Sequence, residues 1–209
     1  MNKKLTAVTV FIILLLALFC FSKANSSIPI RRNSGIVNLK LQEAFFIELV
    51  TNEVAHILES PKIAHKALGR YRQKRYIRTH DIRDIVRFTY TAAIYNPAWG
   101  DRQTTTFKLL SSWYGESGFD KYAKNTNNNG TADRGICQIN SIHTGSYNKF
   151  CIDWGLTEKT LQADILYAAN LNQEHAWNYT FNNPKRKDQR YFYKTLCKRV
   201  RNKLKSVTY

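Results

Sequence analysis

Acidic residues are scarce in this chain. Fifteen aspartates and glutamates stand against thirty-two lysines and arginines, a net charge of +17. That balance points away from cationic ligands and towards an anionic partner such as cell-wall polymer, membrane surface or nucleic acid. Long apolar runs are lacking too. The one candidate, Ala7 to Phe21, has about 15 residues, where a membrane span needs roughly 20. Basic Lys3 and Lys4 precede it and Ser22-Lys23-Ala24 follows, so residues 1–24 read as a secretory signal peptide, with a retained membrane anchor as the second reading. Phe19, just before Cys20, argues against a lipoprotein. Cleavage would remove Lys3, Lys4 and Lys23 and no acid, leaving +14.

Cysteine is sparse as well. Beyond the leader stand Cys137, Cys151 and Cys197, an odd number that excludes a closed disulfide framework. One bridge would suit an oxidising compartment, with the pair left open. Cys137, between Ile136 and Ile139, reads as a small buried apolar residue. The five histidines (His56, His65, His80, His143 and His175) have no metal-ligand spacing, so no metal and no cofactor is expected. No internal repeat is present.

What is there is mostly helical pattern. Residues 25–37, with Pro29, Arg31, Arg32 and Gly35, read as a flexible lead-in. A helix is expected from about Leu39 to Glu59, with Leu41, Phe45, Leu49, Val50, Val54, Ile57 and Leu58 at helical spacing. Ser60-Pro61 signals a second helix start, running into the basic stretch 66–78. Thr79 then precedes Asp81 and Asp84, acids suited to a first turn, and Ile82, Ile85, Val86 and Thr89 form a stripe. Residues 96–101 break the pattern. The next helix is expected near Thr104, with Phe107, Leu110 and Trp113 on one face and Glu116 at its end. Asn125 to Gly130 has turn chemistry throughout and reads as the tip of a short hairpin, Asn129-Gly130 being a strong two-residue signal. Leu161–Trp177 reads as a helix. From Arg190 on, Tyr193, Leu196, Cys197, Val200 and Leu204 share a stripe among lysines and arginines.

The chemistry concentrates at Glu116, in Trp113-Tyr114-Gly115-Glu116-Ser117-Gly118-Phe119. Asp133 follows seventeen positions later, in Asp133-Arg134-Gly135-Ile136-Cys137-Gln138-Ile139-Asn140-Ser141. A carboxylic acid on an apolar wall, with a second carboxylate on a polar loop, suits cleavage of a glycosidic bond. Burial against apolar groups keeps a proton on the acid near neutral pH. Taken singly, Glu116 is an ordinary helix-end residue and Asp133 an ordinary loop-holding one. Together with the downstream motif, they specify a site.

Glu116-Ser117-Gly118-Phe119, the turn Asn125–Gly130 and Asp133-x-Gly135-x-x-Gln138-Ile139-Asn140-Ser141 resemble the catalytic half of the lysozyme superfamily. The resemblance is to bacterial lytic transglycosylases of the soluble type, and covers about residues 105–183. It implies a mainly α, lysozyme-like α+β fold with at most one small β-hairpin. The implied organisation is accessory N-terminal helices over 38–100 and a catalytic domain over 101–209. It also implies that Glu116 is the catalytic acid and then base, that Ser117 orients the glutamate or the sugar, and that Gln138 and Asn140 line the groove. The family's third motif is altered here to Thr180-Phe181-Asn182-Asn183-Pro184. Phe181 stands where a tyrosine hydroxyl bears on the glutamate, with Tyr179 or Tyr167 as stand-ins.

The activity implied is cleavage of the N-acetylmuramic acid–N-acetylglucosamine bond of peptidoglycan, giving a 1,6-anhydro end. Two alternatives remain open: a muramidase using Asp133 as second carboxylate, and a non-catalytic wall-binding protein on the same fold. The partners implied are peptidoglycan glycan strands, an anionic wall polymer or membrane surface, and an envelope-spanning assembly. A signal peptide argues against nucleic acid and places the protein in the periplasm or envelope.

Overall fold

The computed structural model describes residues 33–59, 79–171 and 187–207. The leader, the helix expected after Ser60-Pro61 and the altered third motif with Phe181 and Asn182 lie outside the described residues. Two compact units divide at Gln42, and only the opening of the first helix belongs to the described part of the first unit. The second unit, Glu43–Tyr209, holds the rest of the described residues.

Helix α1 spans Asn33–Glu59 and so begins inside the expected lead-in. No proline interrupts the chain between Pro29 and Pro61, and a single glycine costs a helix only about 1 kcal/mol. Its buried stripe is Phe46, Val50, Val54 and Ile57. The stripe is rotated from the expected one: Leu41 is exposed and Phe45 only half-buried. Helix α2, Thr79–Ala92, buries Ile82, Ile85, Val86 and Thr89, the face its periodicity predicts. The break at 96–101 consists of two 3-10 turns, Ala93–Tyr95 and Pro97–Trp99. Buried Asn96 ties them to the last helical turns of the core by donating from Nδ2 to the Ala169 carbonyl at 3.0 Å.

Helix α3, Arg102–Ser117, starts at Asp101, whose carboxylate accepts the Thr104 N–H at 2.7 Å as an N-cap. It ends at Gly118, in the left-handed conformation (φ 63°) that a C-terminal cap requires. It packs on α2 on one side and on the last helix, α6, on another. Trp113 is buried, and its indole N–H donates to Thr89 Oγ1 at 3.2 Å.

After α3 come β1 (Lys124–Thr126), β2 (Ala132–Arg134) and β3 (Ile139–Asn140) in one antiparallel sheet of order β1-β2-β3. The expected single hairpin is therefore exceeded by one strand. Asn125 pairs with Asp133, and Asp133 in turn with Asn140. Nor is Asn129-Gly130 a two-residue turn. The chain closes over a longer loop, Asn127 N–H donating to Thr131 O at 2.8 Å and Gly130 N–H to Asn127 O at 3.0 Å. Side-chain bonds within the asparagine run favour this wider closure.

Helices α4 (Thr144–Asp153), α5 (Leu161–Leu171) and α6 (Lys187–Val207) complete the fold. Residues 172–177 of the expected Leu161–Trp177 helix lie outside the described residues. Helix α6 buries Phe192, Leu196, Cys197 and Val200, and Phe192 stacks on Tyr114 at 4.5 Å. Residues read from the sequence as accessory helices share this core: Phe46, Val54 and Val86 belong to the same buried cluster as Leu110 and Leu196. The architecture is mainly α with one small antiparallel sheet, consistent with a lysozyme-like fold. Among the described residues, no helix is long and apolar enough to cross a membrane. Cys137, Cys151 and Cys197 are free and buried.

Candidate active site

Glu116 stands in the last turn of α3, half-buried, one residue before the helix closes. What fixes that turn is Ser117. Its hydroxyl is buried and donates to the Ile136 carbonyl at 2.8 Å, so the end of the helix is bolted to the Asp133–Ser141 segment. Ser117 thus bonds backbone and stands away from solvent, which makes it a brace for the site. The segment reaches Glu116 electrostatically as well. Burial pushes the Cys137 thiol well above its usual range, and the carboxylates of Asp164 and then Glu116 push it the same way.

Asp133 sits in β2, with each oxygen engaged by an amide. Asn140 Nδ2 donates to Oδ1 at 2.7 Å and Asn127 Nδ2 to Oδ2 at 3.1 Å. Both amides also donate to Thr131 Oγ1, at 3.1 Å and 3.0 Å, and Thr131 Oγ1 donates onward to Asn129 Oδ1 at 2.8 Å. The carboxylate therefore clamps the asparagine-rich loop to β3. Asn140 carries a second duty, its Oδ1 accepting the Ile142 N–H at 3.0 Å to start the turn before α4. Gln138 is held in a left-handed conformation (φ 49°), and its amide donates to the Gly135 carbonyl at 2.8 Å. Of the residues expected in the site, Ser117, Asp133, Gln138 and Asn140 thus meet in one braced segment at the end of the Glu116 helix. Phe181 and Asn182 lie outside the described residues, as does Tyr179. The other stand-in, Tyr167, shares its hydroxyl with Ser146 Oγ at 2.6 Å.

Three residues of this scaffold escape a reading of motifs alone: Arg134, Tyr147 and Asp164. Asp164 is buried in α5 and accepts from Arg134 NH1 at 3.1 Å and from the Tyr147 hydroxyl at 2.8 Å. The Arg134 guanidinium lies over the Tyr147 ring, 4.7 Å from its centroid. Burial raises the Asp164 carboxyl above its usual range, while Tyr147 and Arg134 pull it back. Burial, then Asp164, pushes the Tyr147 phenol far above its usual range, so its hydroxyl stays a donor. Gly135 makes the approach feasible. Its φ is 73°, and a Cβ there would lie 2.9 Å from Asp164 Oδ2. A signal existed in the sequence: Asp164 interrupts the otherwise apolar run from Ala163 to Ala169, which marks a buried and paired charge.

A half-buried carboxyl beside a braced polar segment is placed where it could exchange a proton with a bound ligand. Among the described residues, no three His, Cys, Asp or Glu side chains form a set that could hold a metal ion.

No family model and no solved structure matches the chain. It is similar to protein IpgF of Shigella sonnei, being 41% identical over 68 residues, which are 31% of this chain and 42% of that protein. The chain thus matches less than half the length of this curated relative.

Proposed function

We propose that the protein is an exported peptidoglycan lytic transglycosylase. The observation that carries this reading is the division of labour between two carboxyls. Glu116 ends a helix pinned to the motif segment through Ser117, whereas Asp133 has both oxygens engaged by Asn127 and Asn140. With Asp133 committed to holding its loop, Glu116 is the acid that performs both proton transfers, and the substrate takes the place of a second carboxylate. Glu116 protonates the glycosidic oxygen as the bond to muramyl C1 breaks. The substrate's own acetamido oxygen stabilises the electron-poor C1. Glu116, now a carboxylate, takes the proton of the muramyl C6 hydroxyl as O6 bonds to C1. The products are a 1,6-anhydromuramyl end and a free glycan end, with no water consumed. Proton transfers of this kind contribute about 10²–10⁴-fold each.

The runner-up is a muramidase in which Asp133 assists and water enters. Digesting purified sacculi and weighing the fragments by mass spectrometry separates the two. Anhydro ends are the expected product. Reducing muramyl ends would transfer the assignment to the muramidase, and no release would leave a wall-binding protein. Export is supported by the basic head and apolar run of residues 1–24.

A further inference from the structure

Helix α6 runs antiparallel to the helix that ends in Glu116. Near its start Gln189 lies against Gly115, within the van der Waals space a Cβ would fill, and two turns on Cys197 stands close enough to Lys108 to feel its charge. Its inward face is buried. Outward, Lys194, Lys198 and Arg201 recur at four and three residues, one stripe of a helix. A shallow groove of about 330 Å³ follows that stripe, with the Tyr193 phenol and Asn202 amide between the cations.

Unlike this stripe, several cations of the fold are paired. Arg83, Arg87, Arg102, Lys121, Arg134, Lys149 and Arg199 each meet a carboxylate. Arg199, on α6 itself, turns to buried Glu53. Among the described residues, no carboxylate pairs with Lys194, Lys198 or Arg201. Like charges aligned without counter-charges repel one another, and a polyanion laid along them relieves that repulsion.

We infer that the outer face of α6 is a second wall-binding surface, which takes the carboxylates of peptide stems on the polymer cleaved at Glu116. The inference rests on the proposed function for the identity of the polymer. A flat anionic membrane fits less well, because membrane-surface helices set bulky apolar side chains beside their cations, and the groove offers only the largely buried Cys197 and half-buried Tyr193. The stripe begins about one turn along α6 from Gln189, which lies against Gly115, the residue before Glu116. Two weak contacts on one polymer hold it far better than either alone.

The test is co-sedimentation with intact sacculi, using Glu116→Gln protein so that the wall is not consumed. Lys194→Gln/Lys198→Gln/Arg201→Gln in that background should bind about tenfold less at low salt, and the difference should vanish near 1 M salt. Blocking stem carboxyls by amidation should lower parent binding by a similar factor. Undiminished binding by the triple variant, or equal binding to blocked sacculi, overturns the inference. So does a stripe-dependent attachment to phosphatidylglycerol vesicles that exceeds attachment to sacculi. Circular dichroism checks folding, and Lys198→Glu alone should lower binding in the same direction if the triple variant is unfolded. Binding is read without turnover, so absence of anhydro products would defeat the proposed function and leave this result standing.

Discussion

At Asp133, each carboxylate oxygen receives one amide hydrogen, which is how a carboxylate holds a loop in place. Asp133→Asn keeps the shape but turns an amide donor towards Asn140 or Asn127. One hydrogen bond is lost and two donors face each other, which costs about 1–3 kcal/mol. Urea unfolding should register that loss. Activity should fall by about tenfold through loosening of the segment, with the product still anhydro-ended. A thousandfold loss with stability intact would make Asp133 a chemical participant instead. Asp164 poses a different problem, because burial raises its carboxyl above the usual range. The native state then holds the proton more tightly than the unfolded chain does. Its contribution is greatest below the unfolded value, near 3.8, and is lost as pH rises through the raised one. The stability difference between wild type and Asp164→Asn should therefore move in favour of wild type as pH falls from 7 towards 4. Asp164→Ala at neutral pH leaves Arg134 and the Tyr147 hydroxyl without their acceptor, for a loss of about 3 kcal/mol by denaturant titration.

At the scale of elements, helices were legible wherever one face alone is apolar, as in α2 with Ile82, Ile85, Val86 and Thr89. Helix α3 was legible from the face made by Phe107, Leu110 and Trp113, while its Asp101 cap was not. The start of α1 was not, since Pro29 and Gly35 suggested loop and nothing local marks Asn33 as a beginning. The third strand was hidden for another reason. At two residues, Ile139–Asn140 is too short for alternation to show, and its pairing follows from the Asp133–Asn140 bond across the sheet. Glu116, Ser117, Asp133, Gln138 and Asn140 stand out in the sequence as site candidates because a motif holds them at fixed intervals. The group Arg134, Tyr147 and Asp164 is assembled from three elements, and only tertiary structure brings it together. Gly135 tests that assembly. Gly135→Ala meets both the left-handed backbone, about 1–2 kcal/mol, and the Asp164 carboxylate at 2.9 Å. It should destabilise more than Gly118→Ala, where the backbone is also left-handed but nothing lies within 4 Å. Paired thermal melts measure the difference.

Across the second unit, one core joins α1 and α2 to the helices around the site, so damage far from Glu116 reaches it through shared packing. The three free thiols report on that core. Burial pushes Cys137, Cys151 and Cys197 above the usual thiol range, and a thiol reagent at pH 8 should label them slowly in native protein and at once in guanidinium. Part of the basic excess, which first pointed to an anionic partner, lies on α6, beside the helix that carries Glu116. Under the proposed function, charge would serve retention on the wall, while the chemistry would rest on a single proton carrier. The direct measurement is release of anhydromuropeptides from purified sacculi by wild type and by Glu116→Gln. The account predicts abundant anhydro ends from wild type and a loss of about 10²–10⁴-fold in the variant. Equal release by the two proteins would contradict it.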